Sequence, residues 1–139
     1  FAQVLQGSKR YPNLADLKFE NFHGFMKGFI DLVFVHEERW FIVDWKSNYL
    51  GPDICDYNQD RISREIQKHN YNLQYIIYTL ALHRYLSVKL ADYSYQRHFG
   101  GVYYLFVRNV GEDSGVHHDL PDCTLIENLD QAIMRGAAG

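Results

Sequence analysis

From Phe25 to Val35 apolar residues are nearly continuous and rich in β-branched and aromatic side chains; His36-Glu37-Glu38-Arg39 breaks the run, and Trp40 to Trp45 resumes it. This pattern predicts a β-hairpin. Both parities of the first strand are apolar, with Phe29, Val33 and Val35 on one side and Ile30, Leu32 and Phe34 on the other, which predicts a sheet covered on both faces. Residues 47–60 read as a loop, and short and long helices are expected over 56–69 and 72–86. Leu73, Ile76, Ile77, Leu80 and Leu86 cover most of the longer helix and predict its burial. Gly100-Gly101 precedes an apolar run, Val102 to Val107, that reads as a buried parallel strand with the long helix as its crossover. After a polar loop with Gly111, Gly115 and Pro121, the spacing of Leu125, Leu129 and Ile133 predicts a closing helix. Residues 1–24 show no clean period and read as an irregular lead-in segment. The expected class is α/β, a mixed central sheet with a hairpin and a crossover helix, flanked by helices.

Composition narrows the function. The length of 139 residues suits one domain, and 47% hydrophobic residues suffice for a core. A formal charge of −3 argues against a plain basic nucleic-acid binder. Cys55 and Cys123 are too few for an iron–sulfur cluster or a cysteine-rich zinc site. Neither a G-x-x-x-x-G-K-[ST] loop nor a G-x-G-x-x-G motif occurs, so no nucleotide site is expected in this chain. No 18-residue apolar run or secretory signal is visible, and a cytoplasmic location is expected.

The hairpin carries the candidate chemistry. With a two-residue turn at Glu37-Glu38, opposed residues have numbers summing to 75, which sets Asp31 directly across from Asp44. Lys46, two residues on, shares their face. A longer turn or a bulge shifts the register by one and separates the pair. One ammonium cannot balance two carboxylates, whereas a divalent cation such as Mg²⁺ or Mn²⁺ resolves the imbalance and leaves coordination positions for phosphate and water. The residues therefore predict metal-assisted phosphate chemistry. Seven histidines share no ligand spacing and read as structural or surface residues.

Three strings then fall into a recognisable order: Lys27-Gly28-Phe29-Ile30-Asp31, Asp44-Trp45-Lys46-Ser47-Asn48 and Gln74-Tyr75-Ile76-Ile77-Tyr78. Together with His98 to Phe106, they resemble the PD-(D/E)XK nuclease superfamily in its RecB-type branch, over residues 25–139. The resemblance implies a restriction-endonuclease-like core, and Asp31 and Asp44 as metal ligands and catalytic residues. It makes Lys46 the catalytic amine and the Trp45 carbonyl a further ligand. Gln74 and Tyr78, one helical turn apart, match the Q-x-x-x-Y motif and would support the site. It implies Mg²⁺ as cofactor, with Mn²⁺ or Ca²⁺ as substitutes, and exo- or endonucleolytic DNA hydrolysis in double-strand-break repair, recombination and degradation of foreign DNA. The implied partners are DNA strands fed by a helicase and RecC-like and RecD-like subunits, in a bacterial, nucleoid-associated setting. In such nucleases an upstream helix supplies a further His or Glu ligand. Residues 1–24 offer only Glu20 and His23, outside any recognisable helix, so the chain reads as a C-terminal fragment lacking the first core helix.

Possible DNA contacts are Arg61, Arg64 and Lys68, which recur at helical spacing, and Tyr49 and Tyr57, which could stack on unpaired bases. The alternative function is a nuclease-fold module that binds DNA or a partner subunit without cutting.

Overall fold

A computed structural model describes residues 1–17 and 27–138. Glu20, His23 and the expected strand start at Phe25 lie outside the described residues. A mixed four-stranded sheet is formed by β1 (Leu32–His36), β2 (Arg39–Lys46), β3 (Phe99–Phe106) and β4 (Val116–Asp119), ordered as numbered. β1 and β2 pair antiparallel, β2 and β3 parallel, and β3 and β4 antiparallel. The helices are α1 (Ala2–Gln6), α2 (Gln59–Lys68), α3 (Tyr71–Lys89), α4 (Tyr95–His98) and α5 (Cys123–Ala138).

The two-residue turn is present. Glu37 (φ 49°) and Glu38 (φ 65°) are both left-handed, the twist that lets a hairpin follow the natural twist of its strands. The register Leu32↔Val43 to His36↔Arg39 sums to 75, as the arithmetic requires. The parallel strand and its helical crossover, α3, also match expectation.

Four expectations are corrected. β1 is shorter than the apolar run, because residues 27–31 do not continue the ladder. Nor is the sheet covered on both faces throughout: Leu32, Phe34 and Val35 are exposed, while β3 is mostly buried and β2 is buried over Ile42, Val43 and Asp44. β1 is the edge strand, and Phe34 finds cover by stacking on Phe41 at 4.9 Å. The lead-in segment is not irregular throughout. It holds α1 and a 3₁₀ turn at Pro12–Leu14, which place Leu5 and Leu14 fully in the core. Finally, the polar loop after β3 contains β4, whose sequence Val-His-His-Asp shows no apolar alternation.

The core lies between the sheet and helices α2, α3 and α5, around Ile42, Tyr75, Ile76, Leu86, Phe106 and Ile126. A fully buried Leu or Ile side chain contributes roughly 1.5–3 kcal/mol. Two polar positions are satisfied within it. Buried Asn72 exchanges amide bonds with Asn13 (2.6 and 2.9 Å). Asp119 on β4 accepts from Tyr11 Oη and Tyr75 Oη, both at 2.7 Å, and from Arg10 and the Leu120 N–H. These contacts tie Arg10 and Tyr11 to β4 at the far edge of the sheet and Asn13 to α3.

Candidate active site

The site forms where β1 begins and β2 ends. Asp31 sits one residue before β1, opposite Asp44 at a position where the ladder makes no backbone bonds and side chains come closest. The next residue of β2, Trp45, would pair with Ile30, but Ile30 lies before the strand. Asp31 takes over instead: its Oδ2 accepts the Trp45 N–H at 3.0 Å. In an antiparallel ladder the N–H and C=O of one residue point to the same edge, so the Trp45 carbonyl faces the side where Asp31 stands. The early end of β1 thus has a local cause, the substitution of a side-chain acceptor for a backbone one.

Asp44 is 4% exposed and its Oδ2 lies 2.6 Å from Lys46 Nζ. Burial pushes the Asp44 carboxyl above the ordinary carboxylate range, the Lys46 ammonium opposes this, and the neighbouring Asp31 charge adds to the rise. Two carboxylates therefore share one ammonium. Among the described residues no group of three His, Cys, Asp or Glu side chains converges for a metal. The donors that stand together are oxygens, the Asp31 and Asp44 carboxylates. That set, with surplus negative charge, fits a hard divalent cation that keeps several positions for water or substrate.

α3 closes the other side. Lys46 Nζ donates to Gln74 Oε1 (3.0 Å), and Gln74 Nε2 donates to Tyr78 Oη (3.2 Å). The one-turn spacing of Gln74 and Tyr78 therefore does bring both to the acidic pair. Burial raises the Tyr78 hydroxyl above its ordinary range, and the Asp44 charge reinforces it. Gly28 permits this arrangement, because a Cβ there would stand 3.0 Å from the Tyr78 ring.

Two aromatic residues that sequence reasoning missed complete the surroundings of Lys46. Its Nζ lies 4.2 Å from the Tyr71 ring centroid and 4.9 Å from that of Tyr104. Tyr104 Oη donates to Gln74 Oε1 at 2.6 Å. Tyr71 is held by His69, stacked on it at 5.2 Å, and by Asn48, which accepts its hydroxyl at 3.2 Å. Tyr104 belongs to an apolar run, and only the parallel register Asp44↔Tyr104 reveals its position, whereas the one-turn spacing of Tyr71 before Gln74 on α3 is the signal for Tyr71.

The candidate DNA contacts separate. Tyr49 is exposed and lies beneath Arg108, whose Nε donates to the Ser47 carbonyl at 2.6 Å beside the end of β2. Tyr57 is fully buried, with its hydroxyl on the Leu50 N–H, so it cannot stack on bases. Arg61 is engaged by Asp56 at 2.7 Å, whereas Arg64 and Lys68 are exposed on α2. His117 and His118 are on β4 rather than in a loop, and His117 stacks on Tyr75 at 5.8 Å.

The model of the PD-(D/E)XK nuclease superfamily matches residues 2–139. The chain is 48% identical over 118 residues to the RecBCD enzyme subunit RecB of Escherichia coli, covering 83% of this chain and 10% of that protein. It is 45% identical over 132 residues to the Haemophilus influenzae protein of the same name, covering 94% of this chain and 11% of that one. The chain thus spans about a tenth of the length of these relatives. Among the described residues no helix is long and apolar enough to cross a membrane. With a hairpin that pairs two aspartates beside a lysine and a family match along nearly its whole length, the chain belongs to the PD-(D/E)XK nuclease superfamily.

Proposed function

We propose that this domain hydrolyses DNA phosphodiester bonds with Mg²⁺ as cofactor, as the nuclease part of a helicase–nuclease. In that setting it would act in double-strand-break repair, recombination and degradation of foreign DNA, beside RecC-like and RecD-like subunits. The observation that carries the reading is the placement of Asp31, Asp44 and Lys46 on one face of the hairpin. The names of the relatives support the setting, and nucleases of this superfamily generally use divalent metal ions.

Asp31, Asp44 and the Trp45 carbonyl would hold the ion, with Mn²⁺ or Ca²⁺ able to substitute. Bound there, a divalent ion supplies a Lewis acid for a phosphate oxygen and lowers the pKa of water. The remaining work falls to the chain itself. Lys46 Nζ carries a positive charge and N–H donors at the wall of the site, placed to orient the attacking water or to stabilise charge on the phosphate. Gln74 and Tyr78 hold that ammonium from α3. Trp45 N–H keeps the Asp31 carboxylate turned toward Asp44. Tyr49, Arg64 and Lys68 are candidate contacts to the strand outside this centre, and Arg61 would have to leave Asp56 to join them.

A supercoiled-plasmid nicking assay with and without Mg²⁺, paired with Asp44→Ala, tests the reading. Cleavage that needs Mg²⁺ and is lost in the variant is expected. Unchanged cleavage by Asp44→Ala, or calorimetry showing no Mg²⁺, Mn²⁺ or Ca²⁺ binding, overturns it. DNA binding without cutting would favour a non-cutting module instead.

A further inference from the structure

One oxygen beside the acidic pair receives two donors. Gln74 Oε1 accepts from Lys46 Nζ at 3.0 Å and from Tyr104 Oη at 2.6 Å. An ammonium can only donate, so Lys46 determines which end of the Gln74 amide faces it. It does not determine where that end sits, since Lys46 and Gln74 are both long, flexible side chains with much rotamer freedom to lose. Tyr104 does. It is fully buried on β3, directly opposite Asp44 in the parallel ladder. Its ring is wedged edge-on against Tyr75 at 5.5 Å and tilted against Tyr71 at 5.8 Å. A hydroxyl on a wedged ring in a central strand is a fixed point, whereas Gln74 alone on α3 is not.

We propose that Tyr104 is a positioning residue of the nuclease reaction, whose hydroxyl pins the Gln74 side-chain oxygen and, through it, the Lys46 ammonium. The inference rests on the role given to Lys46 above. Without the hydroxyl, Gln74 Oε1 keeps Lys46 as its donor and Nε2 keeps Tyr78 Oη on the same helix, so the oxygen loses its one tie to the sheet and can shift with the α3 side chains, leaving Asp44 as the sheet-fixed partner of Lys46. The ammonium then follows Asp44 instead of standing between Asp44 and α3. Positioning of this kind acts on the rate of the chemical step and not on capture of DNA, because Tyr104 is buried away from any strand.

Tyr104→Phe isolates the hydroxyl, since the ring and its contacts with Tyr71, Tyr75 and Lys46 remain. In steady-state cleavage of a DNA oligonucleotide by the intact chain with Mg²⁺, kcat should fall about tenfold, the scale of one displaced hydrogen bond, with KM changed less than about twofold. The Lys46 ammonium signal in a ¹H–¹⁵N spectrum of the folded protein should broaden or disappear, a change that loss of packing elsewhere does not produce. Wild-type kcat together with an unaltered Lys46 signal overturns the inference. Lys46→Ala separates the two levels. If it keeps wild-type kcat, the role of Lys46 fails; if it is defective while Tyr104→Phe is not, the positioning role alone fails.

Discussion

Asp119→Asn is the sharpest test of what holds the scaffold behind the site. Oδ2 of Asp119 accepts the hydroxyls of Tyr11 and Tyr75, each at 2.7 Å, while Oδ1 accepts Arg10 and the Leu120 N–H. Arg10 and a backbone amide can only donate, so the asparagine oxygen must face them and its NH₂ must face the two tyrosines. Both hydroxyls then have to turn their protons into a buried region, where Tyr11 is 4% and Tyr75 2% exposed. Two bonds to a charged acceptor, each worth about 1.5–3 kcal/mol, are exchanged for weaker neutral ones of about 0.5–1.5 kcal/mol. The Arg10 ion pair adds little, because its side chain is 42% exposed.

The net loss is therefore about 2–4 kcal/mol, a large fraction of a typical domain's stability of roughly 5–15 kcal/mol. For a chain of this size it should lower the thermal midpoint by roughly 6–16 °C. Urea unfolding followed by tryptophan fluorescence measures the loss directly, and Tyr75→Phe, which removes one of the two hydroxyls, should show about half of it. A loss under about 1 kcal/mol for Asp119→Asn would mean that the four donors are satisfied elsewhere, and the reading of β4 as a clamp on Arg10 and Tyr11 would be wrong.

His117 gives a pH dependence of definite sign. Burial holds its imidazole below 6.5, with Asp119 opposing, so the unfolded chain binds more protons below that pH and stability should fall as pH drops from 7 to 5. His117→Phe should make the fall in urea midpoint shallower, while His83, also lowered by burial, retains part of it. Gly28→Ala brings a Cβ to 3.0 Å from Tyr78 Cε1 and should reduce cleavage more than it reduces the thermal midpoint; the reverse order would detach Tyr78 from the site. Replacing the turn by Glu37→Asn with Glu38→Gly relieves two left-handed glutamates and should stabilise by about 1–2 kcal/mol in urea unfolding, with no gain counting against the turn assignment.

The site was more legible in the sequence than the fold around it. Asp31, Asp44 and Lys46 could be placed together because a period of two and one turn length fix every pairing in a hairpin, and Gln74 and Tyr78 because one helical turn separates them. Tyr104 could not, since contacts across a parallel ladder depend on a register that no local pattern encodes, whereas Tyr71 stands one helical turn before Gln74 on α3, a spacing that does signal its place. β4 escaped for a similar reason: its inward His117 and Asp119 and outward His118 alternate in nothing that hydrophobicity records. The exposure of β1 was missed because an edge strand and a central strand can carry the same apolar text, and only the neighbours decide which it is.

The placement of the acidic pair also explains why the hairpin can carry so unfavourable a grouping. Asp44 is buried in a setting that resists its charge, with one lysine for two carboxylates. Such a grouping persists only where the backbone leaves it no escape. Asp44 lies in the ladder between β1 and β3, and Asp31 is tethered to the N–H of the very next residue of β2. Relaxation by moving either carboxylate would break ladder bonds or that tether. Stability lost at the pair is made up at a distance, in the aliphatic core around Leu5, Ile126 and Leu129 and at Asp119. Variation at those supports should therefore shift stability while leaving the chemistry of the folded molecules intact, and variation within the Lys46 surroundings should do the opposite.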